Sequence, residues 1–459
     1  MSEDDARPGD ERTRPMVGSR QAVTPTPAPA AEPATTFAAA PSRKPTDATT
    51  ALDAAYARLD RWVDEHFDEE VRFLQELVRV PTDTPPGDNA PHAERTADML
   101  GKMGFAAEHH KVPDAVVRNA GLQSITNLIV RHRFGDGPTI ALNAHGDVVP
   151  PGDGWTKHPY RAEIVDGKLY GRAAAVSKSD FATYTYALRA LIDSGTARRG
   201  AVELHFTYDE EFGGELGPGW LLNLGLTQPD VLIAAGFSYQ VVVAHNGCLQ
   251  LEVTLHGLAS HAAYPETGVD ALQAANRLLS ALYAHNDVLR ERRSKVPGIS
   301  HPYLNVGRIE GGTNTNVVPG KVVLKLDRRM IPEEDAAQVE AEVRELITTT
   351  VARSPGIRLE IKRLLLARSL KASPSNHALV AALQRHAQAV FGEAIAVSGT
   401  PLYTDVRLYG ALGIPCAIYG AGPRTVLESN AKRADEHLVL DDLRRATQVV
   451  ARTLHDLLA

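Results

Sequence analysis

The segment Ala141-Leu142-Asn143-Ala144-His145-Gly146-Asp147-Val148-Val149-Pro150 starts apolar and ends in chemistry. Residues 139–143 read as a short buried strand, and the turn that follows carries a histidine and an aspartate two positions apart. Outward from there the rhythm repeats. Residues 124–131, 201–208 and 231–235 are again short apolar runs, and 181–194 carry helical spacing. Strands alternating with helices predict an α/β fold, with a mainly parallel sheet covered by helices on both faces. In such open sheets ligands bind beyond the carboxyl ends of the strands, which is where His145 and Asp147 fall. An isolated His-x-Asp is a weak signal that suits an ordinary surface turn better; its place at a strand end singles it out.

Two stretches break the pattern. Residues 1–50 are rich in Pro, Ala, Thr and Ser, bury too little apolar surface to offset their ordering entropy, and read as a disordered tail. After them Leu59, Trp62, Val63, Phe67, Val71, Leu74, Leu77 and Val78 recur at helical spacing until Pro81, predicting one long helix or two shorter ones. Near Gly247 the rhythm changes: a strand over 249–256, a helix over 270–285, strands over 304–309 and 321–327, a helix over 334–352 and a strand over 357–364. That βαββαβ order predicts a small two-layer α+β domain with both helices on one face. The α/β rhythm then resumes, with helices over 377–391 and 441–458 and a strand over 415–419. The expected division is a tail (1–50), a first α/β part (51–247), an inserted domain (248–364) and a second α/β part (365–459).

The 459 residues are 43% hydrophobic and 23% charged, enough for a large buried core. A net charge of -7 without any basic stripe argues against nucleic acid as a partner. Two cysteines, Cys248 and Cys416, make a disulfide framework or a cysteine metal site improbable. No run approaches the ~18 apolar residues of a membrane span, and the acidic start Met1-Ser2-Glu3-Asp4-Asp5 is unlike a signal peptide. A cytoplasmic protein with no membrane partner is the expectation.

A second chemical segment is His205-Phe206-Thr207-Tyr208-Asp209-Glu210-Glu211-Phe212-Gly213-Gly214. Three adjacent carboxylates at a strand end repel unless a cation or a proton relieves them. Neighbouring side chains also point differently, so one glutamate can bind a metal while the next faces a bound water, the division that metal-assisted hydrolysis needs. Further segments follow in order: Asp166 to Arg172; His256-Gly257-Leu258-Ala259-Ser260-His261-Ala262-Ala263; Gly311 to Pro319; Asp327-Arg328-Arg329-Met330; and Thr404-Asp405. The ordered series, over roughly residues 54–459, resembles the M20 family of aminoacylases, acetylornithine deacetylases, succinyl-diaminopimelate desuccinylases and glutamate carboxypeptidases.

The resemblance implies a zinc-exopeptidase-like fold with an inserted dimerisation domain, two zinc ions bridged by a carboxylate and a water, and cleavage of an amide bond. It makes His145 a metal ligand, Asp147 its supporting carboxylate, Glu210 the general base and Glu211 a ligand of the other metal. His261 is the histidine that reaches the partner subunit's site in a homodimer. Asn316 and Arg329 hold the carbonyl and carboxylate of a small-molecule substrate.

Three family ligand positions are unmatched. The bridging aspartate falls on Val176, an acidic ligand after the 231–235 strand falls on Gly236, and the last histidine falls on Lys432. Two of five ligands remain, where zinc sites ordinarily have three or four. At most one divalent metal per subunit, zinc by resemblance, is therefore expected, with Asp180, Asp209, Ser238, His245 and Asp405 as alternative donors. The expected function is hydrolysis of an amide bond in an N-acyl amino acid, small peptide or related carboxylate. The alternatives are a metal-depleted binding protein and a metal-free acid/base enzyme that uses Lys432 with Glu210.

Overall fold

The computed structural model describes residues 47–197 and 199–459; the tail expected over residues 1–50 lies, up to residue 46, outside them. The helical spacing before Pro81 forms one helix, Asp47–Val78, which starts a few residues ahead of the expected boundary.

The strand ending at His145 is central to an eight-stranded sheet. Its order is Ala107–Lys111, Thr126–Arg133, Ala201–Thr207, Thr139–His145, Val231–Ala234, Cys416–Ile418, Gln240–His245 and Ala396–Thr400. The four strands from Ala201–Thr207 to Cys416–Ile418 are mutually parallel. Thr126–Arg133 joins them antiparallel and pairs antiparallel with Ala107–Lys111 on its other side, and Gln240–His245 meets Cys416–Ile418 through one antiparallel bridge. The sheet is mixed and mostly parallel. Alternate residues of one strand serve different cores, as strand geometry requires. Leu142 and Ala144 pack with Phe181 and Leu454 of helices Lys178–Ser194 and Leu440–Leu458. Ala141 packs instead with Val406 and Tyr409 of the short helix Val406–Ala411. Helices therefore cover both faces.

Residues 247–367 build a second sheet, antiparallel, in the order Tyr303–Gly311, Lys321–Met330, Gly247–His256, Arg358–Ala367. Helices Ala271–Glu291 and Ala336–Val351 pack together against it and close a core of its own, with Leu251, Val253, Leu278, Leu324 and Val343. The βαββαβ order is as the sequence predicts, with an added two-stranded ribbon, Ser260–His261 against Val317–Val318. Gly247–His256 is an interior strand with a neighbour on each side, and Leu249, Leu251, Val253 and Leu255 of one face join the core under the helices. The described part from Thr50 to Ala459 is one compact unit.

Candidate active site

Parallel register sets the site. His145 pairs with Thr207 across adjacent strands, so both strands end at one level and their loops emerge side by side. Asp147 ties the loops together: its carboxylate accepts the backbone N–H groups of Glu210 (3.2 Å) and Glu211 (2.9 Å). The turn between is tight, since a Cβ on Gly146 would stand 2.4 Å from the Tyr208 ring. The His145 ring lies with Nδ1 3.0 Å from the Asp147 carbonyl and 3.5 Å from its carboxylate, and Nε2 3.8 Å from Glu210. Asp147 is fully buried and supports His145 chiefly through its backbone. Burial alone would lower the His145 pKa; the charges of Glu210, Asp147 and Glu211 override it and raise it to about 10. Burial pushes the Glu210 carboxyl up, against the pull of His145.

These side chains open on a cavity of about 350 Å³ whose lining includes His145, Arg172, Val176, Glu210, Glu211, Arg329, Tyr403, Asp405, Lys432 and Glu436. A loop over 430–436 forms one wall, with Asn430, Lys432 and Asp435 in the left-handed region. Each such residue costs on the order of 1 kcal/mol. The loop is pinned by Asp435, which accepts hydrogen bonds from the Thr156 and Lys157 N–H groups (2.9 and 3.0 Å) and the Thr156 hydroxyl (2.8 Å). Buried Arg172 meets Glu436 at 2.5 Å and lies 5.2 Å from the Trp155 ring. Arg329 enters from the second sheet, paired with Asp327 at 2.7 Å and 5.6 Å from the Tyr403 ring.

The structure thus gathers His145, Glu210, Glu211 and Arg329 in one cavity, with Asp147 directly behind. It does not bring His261 or Asn316 there. Both are exposed on the outer ribbon of the second sheet, where the Asn316 carbonyl accepts the Ala262 N–H. One assignment is corrected. Gly236 does not line the cavity; Ala235 does, and a Cβ at Gly236 would stand 2.2 Å from Ile418. The position after the Val231–Ala234 strand that faces the cavity is therefore Ala235. The sequence also left Tyr403 and the Arg172–Glu436 pair unread: the pair joins loops 264 residues apart, and Tyr403 meets Arg329 of the second sheet.

A two-metal centre does not fit these residues. Val176, Ala235 and Lys432 line the cavity, and none of the three supplies a carboxylate or an imidazole to it. The Lys432 Nζ donates to Glu211 Oε2 at 2.7 Å and occupies a carboxylate that would otherwise be free for a metal. Among the described residues no group of three or more His, Cys, Asp or Glu side chains is arranged to hold a metal ion.

The chain matches peptidase family M20/M25/M40 over residues 141–456 and belongs to it. It is 26% identical over 399 residues to a succinyl-diaminopimelate desuccinylase of Gluconacetobacter diazotrophicus, covering 84% of this chain and 96% of that protein. It is 28% identical over 386 residues to an acetylornithine deacetylase of Myxococcus xanthus, covering 83% and 95%. An M20 family metallo-carboxypeptidase from Sulfolobus solfataricus superposes with a TM-score of 0.69 at 20% identity, over 84% of this chain and 98% of that one, and shares the fold. The family is one of metal-dependent hydrolases of amide and peptide bonds. Among the described residues no helix is long and apolar enough to cross a membrane.

Proposed function

We propose that this chain hydrolyses the amide bond of an N-acyl amino acid or small peptide bearing a carboxylate. The observation that carries the reading is Glu210, buried in the cavity wall beside His145 and oriented by Asp147 through its own backbone N–H. Glu210 takes a proton from the attacking water, the water oxygen adds to the acyl carbon, and the proton passes to the amine as the C–N bond breaks. Arg329 takes the substrate carboxylate through paired hydrogen bonds. A single zinc ion at most, bound weakly with His145 contributing, is the metal content we propose. The second sheet pairs two copies of the chain and presents His261 and Asn316 to the partner. The cytoplasm is the compartment we propose, with both cysteines buried free thiols.

The Lys432–Glu211 contact favours a second reading, in which the pocket binds its ligand without metal-assisted hydrolysis or runs metal-free acid/base chemistry. Release of free amine from a panel of N-acyl amino acids and dipeptides, with chelator and with added zinc, separates the two. Turnover that zinc restores supports the hydrolase; binding without turnover in either condition favours the second reading.

A further inference from the structure

Tyr403 is the tyrosine of the cavity wall, on the loop between strand Ala396–Thr400 and helix Val406–Ala411. Its ring stands 5.6 Å from the guanidinium of Arg329, which reaches over from the second sheet. Glu210 and Glu211 are near enough for their charges to act on it. The Tyr403 hydroxyl makes no hydrogen bond among the described residues, yet it is not sealed in the core as the unpartnered Tyr419 hydroxyl is, so it meets the cavity. The charged and amide donors of the same wall are committed. Arg172 meets Glu436 at 2.5 Å, Lys432 meets Glu211 at 2.7 Å and Arg329 meets Asp327 at 2.7 Å. The Asn143 amide is spent on the His205 carbonyl (3.1 Å) and the Thr207 hydroxyl (3.2 Å), and the His145 ring faces the Asp147 carbonyl and Glu210. Thr404, the wall's other hydroxyl, lies against its own helix start, where it accepts the Val406 N–H at 3.3 Å.

When water adds to an amide, the carbonyl oxygen gains a negative charge, and a donor already aimed at it stabilises the transition state more than the ground state. A phenol suits this as a donor that carries no charge of its own. Burial, and after it the charges of Glu210, Cys248 and Glu211, hold this phenol well above its ordinary range, so its proton is in place. A substrate whose carboxylate lies at Arg329 and whose acyl carbon faces the water at Glu210 has its amide between the two, and Tyr403 neighbours both. We propose that Tyr403 is a further catalytic residue, its O–H donating a hydrogen bond to the substrate's amide oxygen as that oxygen becomes negative. This rests on the amide-hydrolase reading and adds to it the donor that receives the developing charge. Glu210 takes the water proton, the water oxygen bonds to the acyl carbon, and the carbonyl π electrons move onto the oxygen held by Tyr403. As the C–N bond breaks, those electrons return, the proton on Glu210 passes to the amine, and Tyr403 keeps its own proton throughout.

The test is Tyr403→Phe, which keeps the ring beside Arg329 and removes only the hydroxyl, so a role confined to packing would leave it unaffected. Rates are measured on the full-length protein with the N-acetylated L-amino acid or dipeptide that the wild type cleaves fastest. Loss of one oxyanion donor is expected to lower kcat by about 10²-fold or more. KM should stay within about threefold, as for an interaction made only in the transition state. Calorimetric Kd of the same substrate, taken in the Glu210→Gln background with and without Tyr403→Phe, should likewise agree within about threefold. A fall in kcat of less than about tenfold overturns the inference and leaves the hydrolase reading standing, as does a loss confined to KM or to Kd. A wild type that cleaves none of these amides removes the hydrolase reading and the inference with it.

Discussion

Two variants test the site most directly. Glu210→Gln keeps the side-chain shape but cannot accept a proton, and positioned bases contribute ~10²- to 10⁴-fold. Amide hydrolysis should fall into that range with the thermal midpoint nearly unchanged; more than about a tenth of wild-type activity would remove Glu210 as base and make neighbouring Asp209 the candidate. The second test concerns the missing ligands. Val176 and Lys432 line the cavity, and Ala235 does so where Gly236 does not. Val176→Asp with Ala235→Glu and Lys432→His adds three donors and removes an ammonium; like charges a few ångströms apart repel by several kcal/mol at an effective dielectric near 20. Zinc titrated calorimetrically into this triple variant should bind far more tightly than to the wild type. Equal affinity would place the ligands elsewhere in the chain. At this scale the sequence was legible where a residue type cannot do a job: Val176 cannot ligate. It was silent on which of two adjacent backbone positions faces the cavity. That choice depends on the close packing of Gly236 against Ile418. That buried Asp405 has no hydrogen-bond partner for either oxygen among the described residues was equally invisible, because absence of a partner is a property of the folded surroundings.

Among elements, those with strong periodicity or dense apolar runs were readable, and the weakly patterned ones were not. Edge strand Ala107–Lys111, with the sequence AEHHK and no buried residue, has no apolar signal to find. The short interior strands of the parallel sheet read clearly because both their faces are covered. Long helices hide a different feature, the buried charge. Glu70, on helix Asp47–Val78, is fully buried and accepts only the Thr447 hydroxyl of helix Leu440–Leu458 at 2.6 Å, leaving Oε2 unpartnered. Burial raises its pKa from 4.5 to about 8, with the Thr447 bond opposing. The folded state therefore keeps a proton that the unfolded chain loses above 4.5. Stability contributed by the neutral carboxyl is intact at low pH and erodes as pH rises through that window, by up to ~1.4 kcal/mol per unit, levelling off above about 8. Glu70→Gln removes the titration. Denaturant midpoints between pH 5.5 and 8 should fall less steeply for the variant than for the wild type, with the larger gain at pH 8. Parallel slopes would mean that this helix pair opens to water around Glu70.

At the scale of the whole molecule, alternation of strands and helices and the change of rhythm near Gly247 predicted the two-sheet plan, since each follows from periodicity. What a second copy adds is not written in one chain's contacts. His261 is exposed on the outer ribbon, its Nδ1 accepting the Ala263 N–H at 3.0 Å, while the cavity that would use it holds Glu210 on the other sheet. If His261 serves a site, that site belongs to a partner. Tyr283, Val288, Tyr303 and Ile309 are large exposed hydrophobics on helix Ala271–Glu291 and edge strand Tyr303–Gly311. Both an apolar surface and an uncovered edge favour pairing. Light scattering should accordingly give twice the 49.5 kDa chain mass at micromolar concentration. The stronger test mixes inactive variants. In a dimer of a Glu210→Gln chain with a His261→Ala chain, one site has both defects and the other has neither, provided that the histidine crosses over. Random exchange of equal amounts makes half of the dimers mixed, each with one intact site of two, so about a quarter of wild-type activity should return. A histidine working within its own chain would leave each site of the mixed dimer with one defect, and nothing would return. A monomer in scattering, or no recovery after confirmed subunit exchange, would show that His261 does not serve a partner's site.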